Sequence, residues 1–290
     1  MDVLITGGAG FIGSHLTEFL LDQGHHVHNI DNFNDYYDPL IKENNIARAK
    51  THPNYRLFRV DILDTEALVS VFRNNHYVQG TIQLLELCND FDIKKFVFAS
   101  SSSVYGANQK VPFSETDPVD HPISPYAATK KAGELVCYTY SRLYDISINC
   151  LRFFTVYGPR QRQDMAIHKF TRLIDAGKPI PVFGAGDSRR DYTFIDDILQ
   201  GIWAAMNYWD GYHIYNLGES QTIALCDLIA LIEEAMGKNA VLEYREEQQG
   251  DVPITFADMT RAKADLGYSP TTPIQQGIKK FVHWYLANKK

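Results

Sequence analysis

Tyr126 and Lys130 stand four residues apart in a stretch, residues 125–144, whose pattern predicts one long helix, so both side chains leave the same face of it. A tyrosine with an ordinary pKa of about 10 is a poor base at neutral pH. An ammonium beside it stabilises the phenolate and lowers that pKa, which makes the pair a candidate for proton transfer to and from a hydroxyl. The spacing alone also suits a solvated helix face, so the neighbours decide its weight. One neighbour is the serine run Ser100-Ser101-Ser102-Ser103, which follows the apolar strand pattern of residues 95–100. Ligands of parallel sheets bind outside the carboxyl ends of the strands. Ser101 or Ser102 is placed there to donate to, or accept from, a reacting hydroxyl, although a solvated serine turn has the same sequence.

A second constellation precedes it. Gly7-Gly8-Ala9-Gly10-Phe11-Ile12-Gly13 lies between a short apolar strand and an amphipathic helix. Glycines at positions 7, 10 and 13 permit a tight turn, a close approach of backbone to a pyrophosphate, and close packing of helix on sheet. The helix N-terminus supplies free N–H groups and a positive dipole end. Asp31 closes the next strand, with Asn32 beside it. Its carboxylate suits two ribose hydroxyls and repels a 2′-phosphate, which favours NAD over NADP. Asp61 and Ile62 close the third strand, where an adenine would lie; a plain loop acid is the competing reading.

These residues need a frame. Strand patterns at residues 26–30, 56–60, 95–100 and 146–153 alternate with helical patterns at 65–73, 80–91 and 125–144. That alternation predicts an α/β fold, a doubly wound parallel sheet (Rossmann) covered on both faces. Beyond Gly158 the alternation becomes irregular, with helical patterns at residues 198–206 and 225–236. We expect residues 1–153 to form an NAD-binding domain and residues 154–290 a smaller α/β substrate domain that returns at most one strand to the first. One irregularity stands out. Two helical patterns, 65–73 and 80–91, follow each other with no strand between them, whereas each crossover helix of such a sheet should lead back into a strand. Residues 74–78 are too few for a strand and its turns, so an internal strand-bearing segment is expected to be absent near residues 71–80.

Composition narrows the function classes. Apolar residues make up 45% of the 290, and the net charge is −7 with basic residues scattered along the chain, which argues against a nucleic-acid partner. Cys88, Cys137, Cys150 and Cys226 have no metal-ligand spacing, so no metal is expected. The first strand begins at Asp2 with no signal-peptide pattern, and no apolar run is long enough to cross a membrane. A reducing, cytoplasmic setting follows as the expectation.

Taken together, Thr6-Gly7-Gly8-Ala9-Gly10-Phe11-Ile12-Gly13-Ser14, Ser101-x-x-Val104-Tyr105-Gly106, Ser124-Pro125-Tyr126-x-x-x-Lys130, Tyr157-Gly158-Pro159 and Arg190-Asp191-Tyr192 make the chain resemble the extended short-chain dehydrogenase/reductases of the nucleotide-sugar epimerase family. The resemblance implies NAD as cofactor and Ser101, Tyr126 and Lys130 as the catalytic trio. It also implies a cofactor site built from Gly7, Gly10, Phe11, Ile12, Gly13, Asp31, Asn32, Asp61, Ile62 and Ser100 with Tyr126 and Lys130. Related 4,6-dehydratases carry an Asp-Glu pair just before Val-Tyr-Gly, and related decarboxylases a Glu immediately before it. Ser102 and Ser103 stand here instead, so simple epimerisation is expected.

Within that family, residues 151–166 and Asn34-Asp35-Tyr36-Tyr37-Asp38-Pro39 resemble the UDP-glucuronate 4-epimerases. By that resemblance Thr155 and Arg162 hold a sugar carboxylate, for which the planar guanidinium fork is suited; pairing of Arg162 with Asp164, or its binding a diphosphate, is the competing reading. The same resemblance places Val182 and Phe183 at the uracil, Arg190 at the diphosphate and Asp251 at a ribose, and Ser102 is expected at the sugar. The implied reaction takes UDP-glucuronate to UDP-galacturonate through a 4-keto sugar. UDP-glucose or UDP-N-acetylglucosamine epimerisation, UDP-glucuronate decarboxylation, and an NAD-binding sensor on the same fold are the alternatives. Departures are Gln248, where several epimerases have Arg, and Tyr77 before Val78-Gln79-Gly80-Thr81, where the family tends to have Asn. By analogy, helices 80–91 and 125–144 form the seam of a homodimer.

Overall fold

The computed structural model describes residues 1–64, 78–246 and 252–289. The expected helix at 65–73, the chain steps that would test for an absent segment near 71–80, Tyr77, Gln248 and Asp251 all lie wholly or partly outside the described residues. The chain divides into two compact units, Met1–Phe96 with Leu135–Ile148, and Val97–Glu134 with Asn149–Lys290.

The first unit opens with β1 (Asp2–Thr6), α1 (Phe11–Asp22) and β2 (His26–Ile30). α2 (Pro39–Asn45), β3 (Tyr55–Phe58) and α3 (Val78–Asp90) follow. β1, β2 and β3 form a parallel ladder in which Thr6 pairs with Ile30, and Ile30 with Phe58. Parallel strands face helices on both sides, and the strand interiors are accordingly apolar, with Val27 and Ile30 fully buried beside Leu20 and Leu21 of α1. The register brings the carboxyl ends of all three strands level, so the glycine turn after Thr6, Asp31 after Ile30 and the segment leading to Asp61 emerge at one edge. α2 occupies a stretch whose polar, aromatic start predicts only a loop. Its signals are local: Pro39 at the first helical position and Asp38, whose carboxylate accepts the Leu40 N–H at 2.9 Å.

The second unit carries most of β4 (Lys95–Ser101) and the first half of α4 (Pro125–Tyr144). β5 (Ser147–Phe153), β6 (Thr155–Tyr157), α5 (Ala166–Asp175), β7 (Pro179–Phe183), β8 (Arg189–Phe194), α6 (Ile195–Ala205) and β9 (Tyr212–Leu217) continue it. It ends with β10 (Thr222–Ala224), α7 (Leu225–Met236), β11 (Val241–Arg245), α8 (Thr260–Leu266) and α9 (Ile274–Asn288). Strand β9 comes from the irregular half of the sequence yet joins β4 and β5 in one sheet; β6, β8 and β10 form another, and β7 pairs in parallel with β11. Helix α4 begins where Ser124 caps it, its hydroxyl accepting the Ala127 N–H at 3.1 Å, with Pro125 in the first turn. It lies close on β4 because residue 133 is glycine: a Cβ there would sit 2.3 Å from the Phe98 ring.

Candidate active site

In the first unit, the turn after β1 has the geometry of an anion cradle. Gly7 adopts φ +66°, a conformation that side chains resist, and a Cβ on Gly13 would lie 2.3 Å from the Gly7 carbonyl oxygen. Gly10 caps α1 without a side chain, and the first turn carries no acid. The positive end of α1 is thus left to an incoming anion. Phe11 is buried against His15 and Ile12 is half-buried, so what they offer a ligand is backbone N–H.

Asp31 is also buried, and its oxygens already accept the Ala9 N–H at 3.1 Å, the Phe33 N–H at 2.9 Å and the Lys42 ammonium at 3.3 Å. Lys42 is the residue that sequence reasoning missed; a lysine four positions beyond a helix-capping aspartate looks solvent-bound until α2 folds it inward. Asn32 donates to Asp61 at 2.8 Å, which joins two of the expected cofactor residues. Ile62 lies under α3, 3.0 Å from where a Cβ on Gly80 would sit. The empty cap of α1, the close-packed glycines and the carboxylate at the end of β2 fit a dinucleotide's pyrophosphate and ribose.

In the second unit, the serine run ends β4 and turns into a short 3-10 helix over Ser102–Tyr105. The Ser101 hydroxyl oxygen accepts both the Ser103 hydroxyl at 2.7 Å and the Ser103 N–H at 3.2 Å. With these two bonds accepted, the Ser101 O–H is left to donate. Tyr126 lies in the first turn of α4 and is 55% exposed. One turn on, the Lys130 ammonium donates to the Ala99 carbonyl at 2.7 Å, 5.7 Å from the Tyr126 ring centre and 5.4 Å from that of Phe98. Partial burial pulls the Lys130 pKa below its ordinary value. The structure thus brings Tyr126, Lys130 and the end of β4 together.

Behind them lies a buried polar chain that sequence reasoning also missed. Ser100 donates to Glu134 at 2.7 Å, and Arg152 grips the same carboxylate through two bonds of 2.8 Å. Arg152 donates further to the Tyr105 hydroxyl at 3.0 Å, which donates to Asn216 at 2.7 Å. Glu134 and Arg152 are each 1% exposed. Burial opposes the Arg152 charge, but the Glu134 carboxylate outweighs it and holds the guanidinium above its ordinary pKa. The available signals were a glutamate one turn beyond Lys130 and an arginine within an apolar strand.

The expected substrate contacts are spread over β6, β7 and β8. Thr155 opens β6 and pairs with Tyr192 of β8. Arg190 on β8 donates to the Arg189 carbonyl at 2.9 Å. Val182 is fully buried in β7, so any contact it makes with a base is through backbone, while Phe183 and Ser102 are half-buried. Arg162 is exposed, and its guanidinium meets Asp164 at 3.1 and 2.9 Å. Asp191, between the two arginines and the core, is fully buried and accepts N–H bonds from Glu219, Ser220 and Ala257, so it ties loops together rather than facing a ligand.

A strand–glycine turn–helix unit ending on an acid, together with a serine, tyrosine and lysine around a strand end, defines a dinucleotide-dependent enzyme acting on a hydroxyl-bearing substrate. Residues 75–218 match the profile of the NAD dependent epimerase/dehydratase family, and residues 4–77 that of GDP-mannose 4,6 dehydratase. The UDP-glucuronate 4-epimerase of Thermodesulfobacterium geofontis is 40% identical over 312 aligned positions, covering 98% of this chain and 96% of its own. UDP-glucuronate 4-epimerase 4 of Arabidopsis thaliana is 40% identical over 98% of this chain and 75% of its own. The crystal structure of UDP-glucuronic acid 4-epimerase from Bacillus cereus, in complex with UDP-glucuronic acid and NAD, superposes with a TM-score of 0.89 at 33% identity, covering 99% of each chain.

The chain belongs to the NAD dependent epimerase/dehydratase family, and its fold is the α/β Rossmann fold of the short-chain dehydrogenase/reductase epimerases. The 312-position alignment exceeds this chain's 290 residues, so the bacterial relative carries internal residues with no counterpart here. The two profiles overlap at residues 75–77.

Proposed function

We propose that this chain interconverts UDP-glucuronate and UDP-galacturonate by NAD-dependent 4-epimerisation through a 4-keto sugar. The observation that carries this reading is the juxtaposition of Tyr126 and Lys130 with the Ser101 end of β4, in a chain with no carboxylate at position 102 or 103. Tyr126 takes the proton from the C4 hydroxyl and returns it, Lys130 stabilises the phenolate, and Ser101 donates to the sugar oxygen. NAD, when bound, would supply the hydride acceptor and donor for C4. Gly7, Gly10, Phe11, Ile12 and Gly13 would hold its pyrophosphate, Asp31 and Asn32 its adenosine ribose, Asp61 and Ile62 its adenine, and Ser100, Tyr126 and Lys130 its other end.

Thr155 and Arg162 hold the sugar carboxylate in this reading, Ser102 the sugar, Arg190 the diphosphate, Val182 and Phe183 the uracil, and Asp251 a ribose. We read residues 1–153 as the NAD-binding part and 154–290 as mainly the sugar-nucleotide part. The partner is a UDP-sugar rather than a nucleic acid or a membrane, consistent with a net charge of −7. Among the described residues no helix is long and apolar enough to cross a membrane. We further read the enzyme as cytoplasmic, as supplying polysaccharide synthesis, and as a homodimer through α3 and α4; Phe91, just past α3, and Leu135, Tyr138 and Leu143 on α4 are exposed.

The purified chain, incubated with UDP-glucuronate, is expected to yield UDP-galacturonate with no net change in NAD. Release of CO₂ with a UDP-pentose, or turnover of UDP-glucose alone, overturns the assignment.

A further inference from the structure

Glu134 lies on α4 one turn beyond Lys130 and two turns beyond Tyr126, on the same side of the helix. It is buried, and its two carboxylate oxygens collect three hydrogen bonds: one from Ser100, the residue next to Ser101, and two from the Arg152 fork. The Tyr212 hydroxyl also donates to the Glu134 carbonyl at 3.0 Å. Arg152 in turn reaches Tyr105, which closes the 3-10 turn that Ser101 caps. Asn216 accepts from Tyr105 and anchors the far end, donating to the carbonyls of Phe113 at 2.8 Å and Asp258 at 3.1 Å. One ion pair therefore touches the helix that carries Tyr126 and Lys130, the strand end that carries Ser101, and the turn that follows it.

We propose that the Glu134–Arg152 pair positions the Ser101–Tyr126–Lys130 trio and keeps its charge balance, so that the Lys130 ammonium serves Tyr126 rather than a buried carboxylate. The inference rests on the reading of Tyr126 and Lys130 as the proton-transferring pair. A lone Glu134 carboxylate, buried one turn from Lys130, would draw the ammonium away from the Ala99 carbonyl and oppose a phenolate at Tyr126. Arg152 cancels that charge by a two-point bond that leaves no carboxylate oxygen facing Lys130 unsatisfied. The other charged or titratable groups around the pair are Lys131, 3.8 Å from the carboxylate, and the Tyr105 and Tyr212 hydroxyls. A merely structural pair would stabilise the fold without tuning the tyrosine.

The two halves of the pair separate the two roles. Eight helical residues span about 12 Å, and an unbalanced charge at that distance, with an effective dielectric of about 20, moves a pKa by roughly one unit. Arg152→Met leaves a carboxylate with only Lys131 beside it, 3.8 Å away, and at the alkaline pH where tyrosine titrates it should raise the Tyr126 pKa by up to roughly one unit. Glu134→Gln leaves a guanidinium and should lower it by a similar amount, and the double variant Glu134→Gln/Arg152→Met should return it near the wild-type value.

The measurement is a tyrosinate absorbance titration of the full chain, each variant compared with the same variant carrying Tyr126→Phe, so that the difference reports Tyr126 alone. It needs no substrate. If wild type fails to turn over UDP-glucuronate, the functional reading falls while the titration still decides the inference. Opposite shifts in the single variants with recovery in the double variant support it. Unchanged Tyr126 pKa values in folded variants, or shifts of one sign in both, overturn it. Should a single variant fail to fold, the charge-neutral double variant carries the test. A double variant that folds with wild-type Tyr126 pKa and at least ten-fold reduced kcat at unchanged KM supports positioning, whereas unchanged kcat in it overturns it.

Discussion

The Lys130 ammonium is held 2.7 Å from the carbonyl of Ala99, the residue two before Ser101 at the end of β4. That bond fixes the charge beside the Tyr126 ring without pairing it to an acid. Lys130→Met should therefore lower kcat by about 10²–10⁴-fold, the usual worth of a placed proton-transfer system, and shift the acid limb of the rate profile to higher pH. Steady-state rates between pH 6 and 10 check both; a variant with the wild-type profile would leave Lys130 outside the chemistry.

Lys42 and Asp31 form a buried pair, 6% and 4% exposed. Lys42→Met leaves the carboxylate unpaired and should cost about 3 kcal/mol in a denaturant titration. The same change removes the cation that offsets Asp31, so repulsion of a 2′-phosphate strengthens. Calorimetric titration with the two dinucleotides should show the preference for NAD over NADP widening by roughly ten-fold, and a narrowed preference would refute this role for Lys42.

Much of this site is visible in the sequence, and the reasons are local. Gly7 and Gly13 announce themselves because the turn needs a positive φ and a backbone contact that no side chain permits. Helix α4 runs from Pro125 to Tyr144, as expected from its periodicity, since its start is written in Ser124 and Pro125. Helices α2, α5, α8 and α9 escaped, the first because it is short and polar, the others because they lie in the irregular half, α5 among its glycines and prolines. Lys42, Glu134 and Arg152 escaped for another reason. A buried charge is tolerated only through its partner, and the partners lie 11 and 18 positions away in sequence, brought together by packing that local pattern does not encode.

Arg162, which the resemblance places at a sugar carboxylate, pairs with Asp164 in the structure. An exposed pair of this kind is weak, so a substrate carboxylate can displace Asp164 at small cost. Asp164→Ala should lower the KM for UDP-glucuronate by at most about five-fold, and Arg162→Ala should reduce kcat/KM for UDP-glucuronate by about 10–100-fold while leaving UDP-glucose nearly unaffected. Parallel losses on both sugars would move Arg162 to the diphosphate.

Glu219 offers a test of stability against pH. Burial, then the charges of Asp197 and Asp191, push its carboxyl up to about 7, and its Oε2 is buried without a hydrogen-bond partner among the described residues. Its folded pKa lies above the unfolded value, so the folded state binds the extra proton and stability falls as pH rises from about 4.5 toward 7. Glu219→Gln abolishes that dependence and keeps the shape. The variant should match wild type near pH 4.5 and exceed it at pH 8 by about 1 kcal/mol, a figure reduced for the part of the side chain that water screens. Thermal melts across that range decide it: a variant less stable than wild type at pH 8 would mean that the ionised carboxylate holds a favourable contact there.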